Sequence, residues 1–353
     1  MKKLDWYIAQ HVIGAILVVM LVVVGLDLLF SLVDELDSLN ERYDMLEALL
    51  YLGMTTPRRI YEFLPLSCLV GCMIGLGMLA SHSELTVMRA AGVSTGRIVR
   101  AVMKPVLVLV LTALVLGEFV VPQTEQVAQS RRALVQSGGE ALKSRFGVWH
   151  REGDSYIHIN AVQPDGVIYG VTRYELNAER DLAVASYARR GEFVGNAWQL
   201  EDIRETRFLG DHTEVQAHPS EVWESGLTPT LLSVVVVEPV DLSITGLNAF
   251  SGYLAEQGLS SVDYQLAFWS KVLQPLGILA LVLIGISFIF GPLRSVTVGQ
   301  RLIVGILVGL TFKFAQDLMG PASSVYGFAP WLAVLVPILV CLMFGGWMLQ
   351  RAK

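Results

Sequence analysis

Several ionisable side chains stand inside or beside long apolar runs, and they raise the first chemical question. Asp27 lies in the second half of a run rich in Val, Leu and Ile, Glu118 near the end of another, and Lys313 and Asp317 within a third. A charge at the centre of a spanning helix costs about 2.5–3.5 kcal/mol on insertion scales, so such residues pair, line a polar cavity or handle ions. Lys313 and Asp317 are four apart, the spacing at which two helical side chains meet and neutralise one another. Asp27, Lys313 and Asp317 are the cavity candidates, with pairing as the plain alternative. Two basic pairs, Arg58–Arg59 before one apolar run and Arg131–Arg132 after another, offer guanidinium forks suited to phosphate or carboxylate. Two anions fit them equally: a lipid headgroup, or the acidic stretch holding Asp34, Glu35, Asp37, Glu41, Asp44 and Glu47.

A third feature is the segment 83–92, Ser-Glu-Leu-Thr-Val-Met-Arg-Ala-Ala-Gly, lying between two apolar runs. Leu85, Met88 and Ala91 fall three apart on one helical face, Glu84 and Arg89 carry charge elsewhere, and Gly92 supplies a stop. The segment reads as a short capped helix presented to a partner.

The chain carries no catalytic constellation in its sequence. No phosphate-cradling loop or dinucleotide fingerprint is present, and the six His residues never fall at ligand spacing with a carboxylate. Cys68, Cys72 and Cys341 lie in apolar runs and read as small buried residues. The expectation is no enzyme, no metal and no cofactor. A net charge of −6 without a basic tract argues against nucleic acid as a partner.

The elements that hold these residues are membrane helices. Of 353 residues 53% are hydrophobic and only 16% charged, and the apolar residues come in blocks. Six spans are predicted, at about 11–33, 60–80, 102–121, 272–290, 302–318 and 331–349, with Pro122 ending the third. Gly71 and Gly75 in the second form a small-xxx-small face for close helix approach. Lys2 and Lys3 before the first span and the acidic loop after it put both chain ends inside and residues 123–264 outside. That stretch is polar and turn-rich. Strands are predicted at 167–176, from Trp198, at 213–217 and at 234–237, with turns at 177–181 and 195–196. The fold class is membrane α + β: residues 1–122 hold three spans and the short helix, 123–264 an antiparallel sandwich, jelly roll or open barrel, and 265–353 three more spans.

Four strings carry a resemblance to a known family: Ser83 to Gly92, Gly-Glu-Phe-Val-Val-Pro-Gln at 117–123, Trp-Ser-Lys-Val-Leu-Gln-Pro at 269–275 and Ser-Phe-Ile-Phe-Gly-Pro-Leu-Arg-Ser at 287–295. They resemble the permease subunits of the bacterial lipopolysaccharide exporter, over essentially the whole chain, and one of the two paralogous subunits more than the other. The resemblance implies a periplasmic β-jellyroll, pairing with an LptF-type permease subunit, two copies of the ATPase LptB as motor, and delivery of lipopolysaccharide to LptC and the LptA bridge. It also implies roles. Glu84 would be the acid that engages the ATPase, with Leu85, Met88, Arg89 and Gly92 around it. Arg58, Arg132 and Asp34 would lie at the lipid headgroup, with their neighbours Arg59 and Arg131 as further headgroup candidates. Family members can carry lysines toward the outer end of the first span where this chain has Ser31, Asp37 and Ser38, which shifts weight onto the arginines. Two other readings share the architecture: a scaffold that transmits an ATPase stroke mechanically, and an ion-coupled carrier using the intramembrane charges.

Overall fold

The computed structural model describes residues 2–40, 42–137, 148–162, 166–177, 179–229, 232, 239–256, 260–291 and 296–351. Helices α1 (Lys2–Leu36), α2 (Met45–Ser81), α3 (Glu84–Ala90) and α4 (Thr95–Val115) come first, and α4 passes through a π-helical turn, Leu116–Val120, into α5 (Val121–Ser137). Strands β1 (Val148–Glu152), β2 (Ser155–Val162), β3 (Val167–Leu176), β4 (Leu182–Val194), β5 (Ala197–Phe208) and β6 (Thr213–Trp223) follow. Helices α6 (Ile244–Glu256), α7 (Val262–Phe290), α8 (Val298–Tyr326) and α9 (Pro330–Arg351) close the chain. Six of the described helical stretches are long and apolar enough to cross a membrane, three before the strands and three after.

Helices outrun the apolar stretches that signal them, because polar flanks continue the backbone ladder beyond bilayer depth. The second span begins at Met45, well before 60, and α2 continues through Pro57 and Pro65. Pro122 does not end the third span. It is the second residue of α5, where the π turn has already shifted the hydrogen-bond ladder and a first-turn proline gives up no needed N–H. The stretch from 123 therefore opens on a helix that runs to Ser137, with the first strand starting at Val148.

The chain divides into two compact units. One holds Met1–Leu29, Thr56–Phe119 and Ser243–Lys353; the other holds Phe30–Thr55 and Val120–Leu242. Glycine decides helix contact in the first. A Cβ at Gly71 would lie 2.4 Å from Ile16 Cα, and one at Gly75 would lie 2.9 Å from both His11 O and Val12 Cα, so α1 and α2 touch backbone to backbone. Cys68, Leu69, Cys72, Met73 and Leu76 on α2 then bury against Ile8, Val12 and Ile16 on α1 and Leu281 on α7 within one apolar cluster. Cys68 and Cys72 are buried free thiols in that cluster.

In the second unit the strands form one antiparallel sheet in sequence order, each pairing with its chain neighbours. Among the described residues the antiparallel expectation is met as a meander, without the crossover connections of two Greek keys. β3 coincides with the predicted 167–176, and β5 and β6 take in the other two described predictions. Residues 234–237 lie outside the described residues. The turns fall where the residue types demand. Gly195 (φ +69) joins β4 to β5, and Asn177 Oδ1 accepts from the backbone N–H groups of Glu179 and Asp181. The sheet curls strongly: Arg173 on β3 reaches past two strands to donate to both oxygens of Glu221 on β6, at 2.8 and 3.1 Å. Ile157, Ile159, Ile168, Val171, Trp198, Leu200 and Ile203 fill the hollow, and the Trp198 indole N–H donates to the Leu227 carbonyl at 2.6 Å.

Candidate functional sites

The short helix forms as expected, but its two faces are the reverse of a simple presented apolar stripe. α2 closes with Ser83 N–H donating to the Ala80 carbonyl at 3.0 Å, and Ser83 takes a left-handed φ of 62° that turns the chain into α3. At the other end Gly92 has φ +86°, and Gly92 and Val93 N–H donate to Arg89 and Met88 carbonyls, a glycine-closed C-terminus. Leu85 and Met88 are buried in the main apolar cluster of the unit, so they anchor the helix and are not its outward contacts. Ala91, predicted on the same face, is exposed. Val87 is the outward apolar side chain at 65% exposure, and sequence reasoning missed it. Periodicity finds an apolar stripe but cannot say which stripe meets the protein's own core. Glu84 lies beside Tyr7 of α1, and Arg89 lies 6.0 Å from the Phe290 ring centroid. Arg97 donates to Asp5 at 3.1 Å, tying the start of α4 to α1.

Two of this unit's charged candidates, Asp27 and the Lys313–Asp317 set, are found in ion pairs. Arg59, 7% exposed, forms an ion pair with Asp27 on α1. Lys313 and Asp317 lie 3.6 Å apart with both side chains more than half exposed, so the i,i+4 pairing holds and neither is enclosed in a cavity of this unit. Arg58 is half-buried. Glu118 caps α6: its carboxylate accepts from Ile244 N–H at 2.7 Å, Thr245 N–H at 3.3 Å and Thr245 Oγ1 at 2.8 Å. The π turn aims it there, and Gly117 beside it has no room for a Cβ because Tyr61 Cε2 would lie 2.6 Å away. Lys271, buried at 4% exposure and 5.4 Å from the Tyr61 ring centroid, was not singled out from sequence. Its flanking apolar run gives no sign of a cation turned inward.

In the second unit the acidic stretch accounts for both arginines of its helix α5. Arg131 makes a two-pronged bond to Glu47, at 2.7 and 2.8 Å, and remains 47% exposed. Arg132 meets Glu35 at 3.0 Å and stacks 4.8 Å over the Tyr51 ring. Glu35, 5% exposed, also accepts from the Tyr43 hydroxyl at 2.8 Å. Burial, reinforced by that bond, pushes the Tyr43 phenol well above its usual range. Within the acidic stretch Asp34 is exposed, and its neighbour Glu35 makes the contact to Arg132 because the helix turns that residue inward.

Two histidines of the sheet are partly buried. Burial lowers the pKa of His150 and His158, and His158 lies 4.8 Å from Trp149, ring centroid to ring centroid. A depressed folded-state pKa means the unfolded chain binds the proton first. Stability is full above the ordinary histidine value of about 6.5 and is lost as pH falls below it. Thermal melts of the strand-bearing unit in the full-length chain should shift downward between pH 7.5 and 5.5, and His158→Gln should flatten that dependence. An unchanged slope in the variant would contradict this account.

Among the described residues, six long apolar helices with an inserted antiparallel sheet define a polytopic membrane protein. The lipopolysaccharide export system permease LptF/LptG family matches residues 6–351, and the chain belongs to it. It is similar to the lipopolysaccharide export system permease protein LptG of Haemophilus influenzae, 35% identical over 355 residues, covering 100% of this chain and 99% of that protein. It is also similar to the LptG of Escherichia coli strain K12, 35% identical over 352 residues, covering 99% and 98% respectively.

Proposed function

We propose that this chain is a permease subunit of an ABC transporter that draws lipopolysaccharide from the outer leaflet of the bacterial inner membrane. An LptF-type subunit pairs with it, an LptB-type ATPase dimer drives it, and LptC and an LptA bridge receive the lipid. Each buried acyl CH₂ holds a lipid in a bilayer by about 0.8 kcal/mol, so a many-chained lipid leaves only when work is supplied. The chain has no nucleotide-binding motif, and that work enters through a contact. The observation that carries the reading is α3. Two buried residues, Leu85 and Met88, moor it to the apolar cluster, and Val87 faces outward as a contact for the ATPase. Glu84 and Arg89 supply its charges. The positive N-terminus and the acidic loop after α1 support placing both ends and α3 in the cytoplasm and the sheet in the periplasm.

For headgroup recognition we assign Arg58 in the first unit and Arg131 in the second as the residues able to take a phosphate. An exposed ion pair such as Arg131–Glu47 contributes only about 0–1 kcal/mol, so an anionic ligand can replace the carboxylate. Arg59 in the first unit is more deeply held by Asp27, and in the second unit Arg132 is held by Glu35 while Asp34 is exposed.

Glu84→Ala in the purified complex is expected to weaken ATPase association or to let hydrolysis proceed with little lipid release. Full association with unchanged release per ATP would remove α3 from the coupling role. Arg58→Ala and Arg131→Ala, made separately, are each expected to reduce photo-crosslinking of lipopolysaccharide severalfold. Equal crosslinking in both would reject the headgroup assignment.

A further inference from the structure

One polar junction lies outside the residues that reading uses. Arg301, in the first turn of α8, is 1% exposed, and its Nη1 donates to the Gly77 carbonyl at 2.6 Å. The Ser81 hydroxyl donates to the same oxygen at 2.8 Å. A Cβ at residue 77 would lie 2.6 Å from Arg301 Nη1 and 2.8 Å from its Cδ, so a side chain there would displace the guanidinium from this position. The cation sits on the last turn of α2, the negative end of that helix dipole. Its own helix is fixed at the start by a capping box between Thr297 and Gln300. Further along, a Cβ at Gly305 would approach Met73 and Val70 at 3.1 and 3.2 Å, and one at Gly309 would approach Leu66 at 2.5 Å. α8 is thus seated along α2 and fastened at its end. From Ser81 only His82 and Ser83 lead to α3, both held by backbone hydrogen bonds to the last turn of α2.

We propose that Arg301 is a positioning residue through which a displacement of α3 reaches α8. The guanidinium on the Gly77 carbonyl makes the end of α2, α3 and the start of α8 move as one body. A residue serving packing alone would not need a charge, since enclosing a guanidinium carries a desolvation cost that an apolar side chain avoids. This inference rests on the reading that a partner ATPase acts at α3.

The test uses the full complex with its partner permease and ATPase in lipid nanodiscs containing lipopolysaccharide. Spin labels go at Ala91, exposed at the end of α3, and at Gly299, where an added side chain meets nothing within 4 Å. In the wild-type background the label distance is expected to stay the same in nucleotide-free and vanadate-trapped states. In Arg301→Gln and in Gly77→Ala it should differ between the states, and lipid released per ATP should fall about fivefold or more, within the usual range of site-to-site coupling. Arg301→Lys keeps the charge but loses the planar fork, and should fall between. A purely structural role would lower the yield of complex and leave the label distance and release per ATP of the surviving complex unchanged, which overturns the proposal. If Glu84→Ala stays fully coupled, the ATPase reading itself fails. If Glu84→Ala uncouples and the Arg301 and Gly77 variants do not, only the present inference fails. Should Arg301→Gln not assemble, Arg301→Lys and Gly77→Ala decide by the same two readouts.

Discussion

Arg59→Met is expected to destabilise the membrane bundle by about 3–5 kcal/mol, because it leaves the Asp27 carboxylate without its guanidinium inside an apolar helix. The loss is larger than the interaction itself is worth. Two ions removed from water together offset each other's desolvation, whereas one left alone carries its cost in full. The double variant Asp27→Leu with Arg59→Met should therefore recover most of the stability, since replacing a whole buried pair by apolar side chains is often neutral or better. Thermal unfolding of the four proteins in detergent reads both quantities and completes a double-mutant cycle. If the double variant is as unstable as Arg59→Met, Arg59 acts through packing and not through Asp27.

Gly71→Leu is expected to separate α1 from α2. Even a single Cβ at this position would sit 2.4 Å from Ile16 Cα, a backbone atom that no rotamer change can move. Overpacking typically costs about 1–3 kcal/mol where side chains can shift and more where they cannot, so the larger Leu should abolish the native α1–α2 contact. Cysteines placed across that contact should form a disulfide readily in the parent and slowly or not at all in Gly71→Leu. Gly14→Ala is the control on the same pair of helices: nothing lies within 4 Å of an added Cβ there, and removing a helical glycine should stabilise by about 0.5–1 kcal/mol. Undiminished crosslinking in Gly71→Leu would show that the two helices do not depend on this approach.

Much of the architecture was legible without coordinates, for a physical reason particular to membranes. Lipid cannot satisfy a backbone polar group, so a long apolar block must be a helix, and six such blocks mean six spans. The helix–loop boundaries were less legible. The run before Ile60 lacks continuous apolar residues yet α2 starts at Met45, and Pro122 reads as a terminator until the π turn before it is seen. In the sheet, Val167–Leu176 was readable because alternation and turn residues agree along one strand. The curl that brings Arg173 to Glu221 was not, since it depends on the summed twist of four strands.

The candidate site residues divide along the same line. Residue type and spacing alone singled out Arg58, Arg59, Arg131 and Arg132, paired Lys313 with Asp317, and marked Gly71 and Gly75 for close approach, because these are local properties of a helix, whereas the role of Glu84 came from the family resemblance. Only the tertiary structure decided that Leu85 and Met88 face inward and Val87 outward, and that Glu35 of the acidic stretch holds Arg132. Only the fold assigns Asp27 to Arg59, Glu118 to the start of α6, and Arg301 to the carbonyl of Gly77. Each of those partners is remote in the chain. A helical repeat fixes which side chains share a face, and nothing in it specifies which distant element that face will meet.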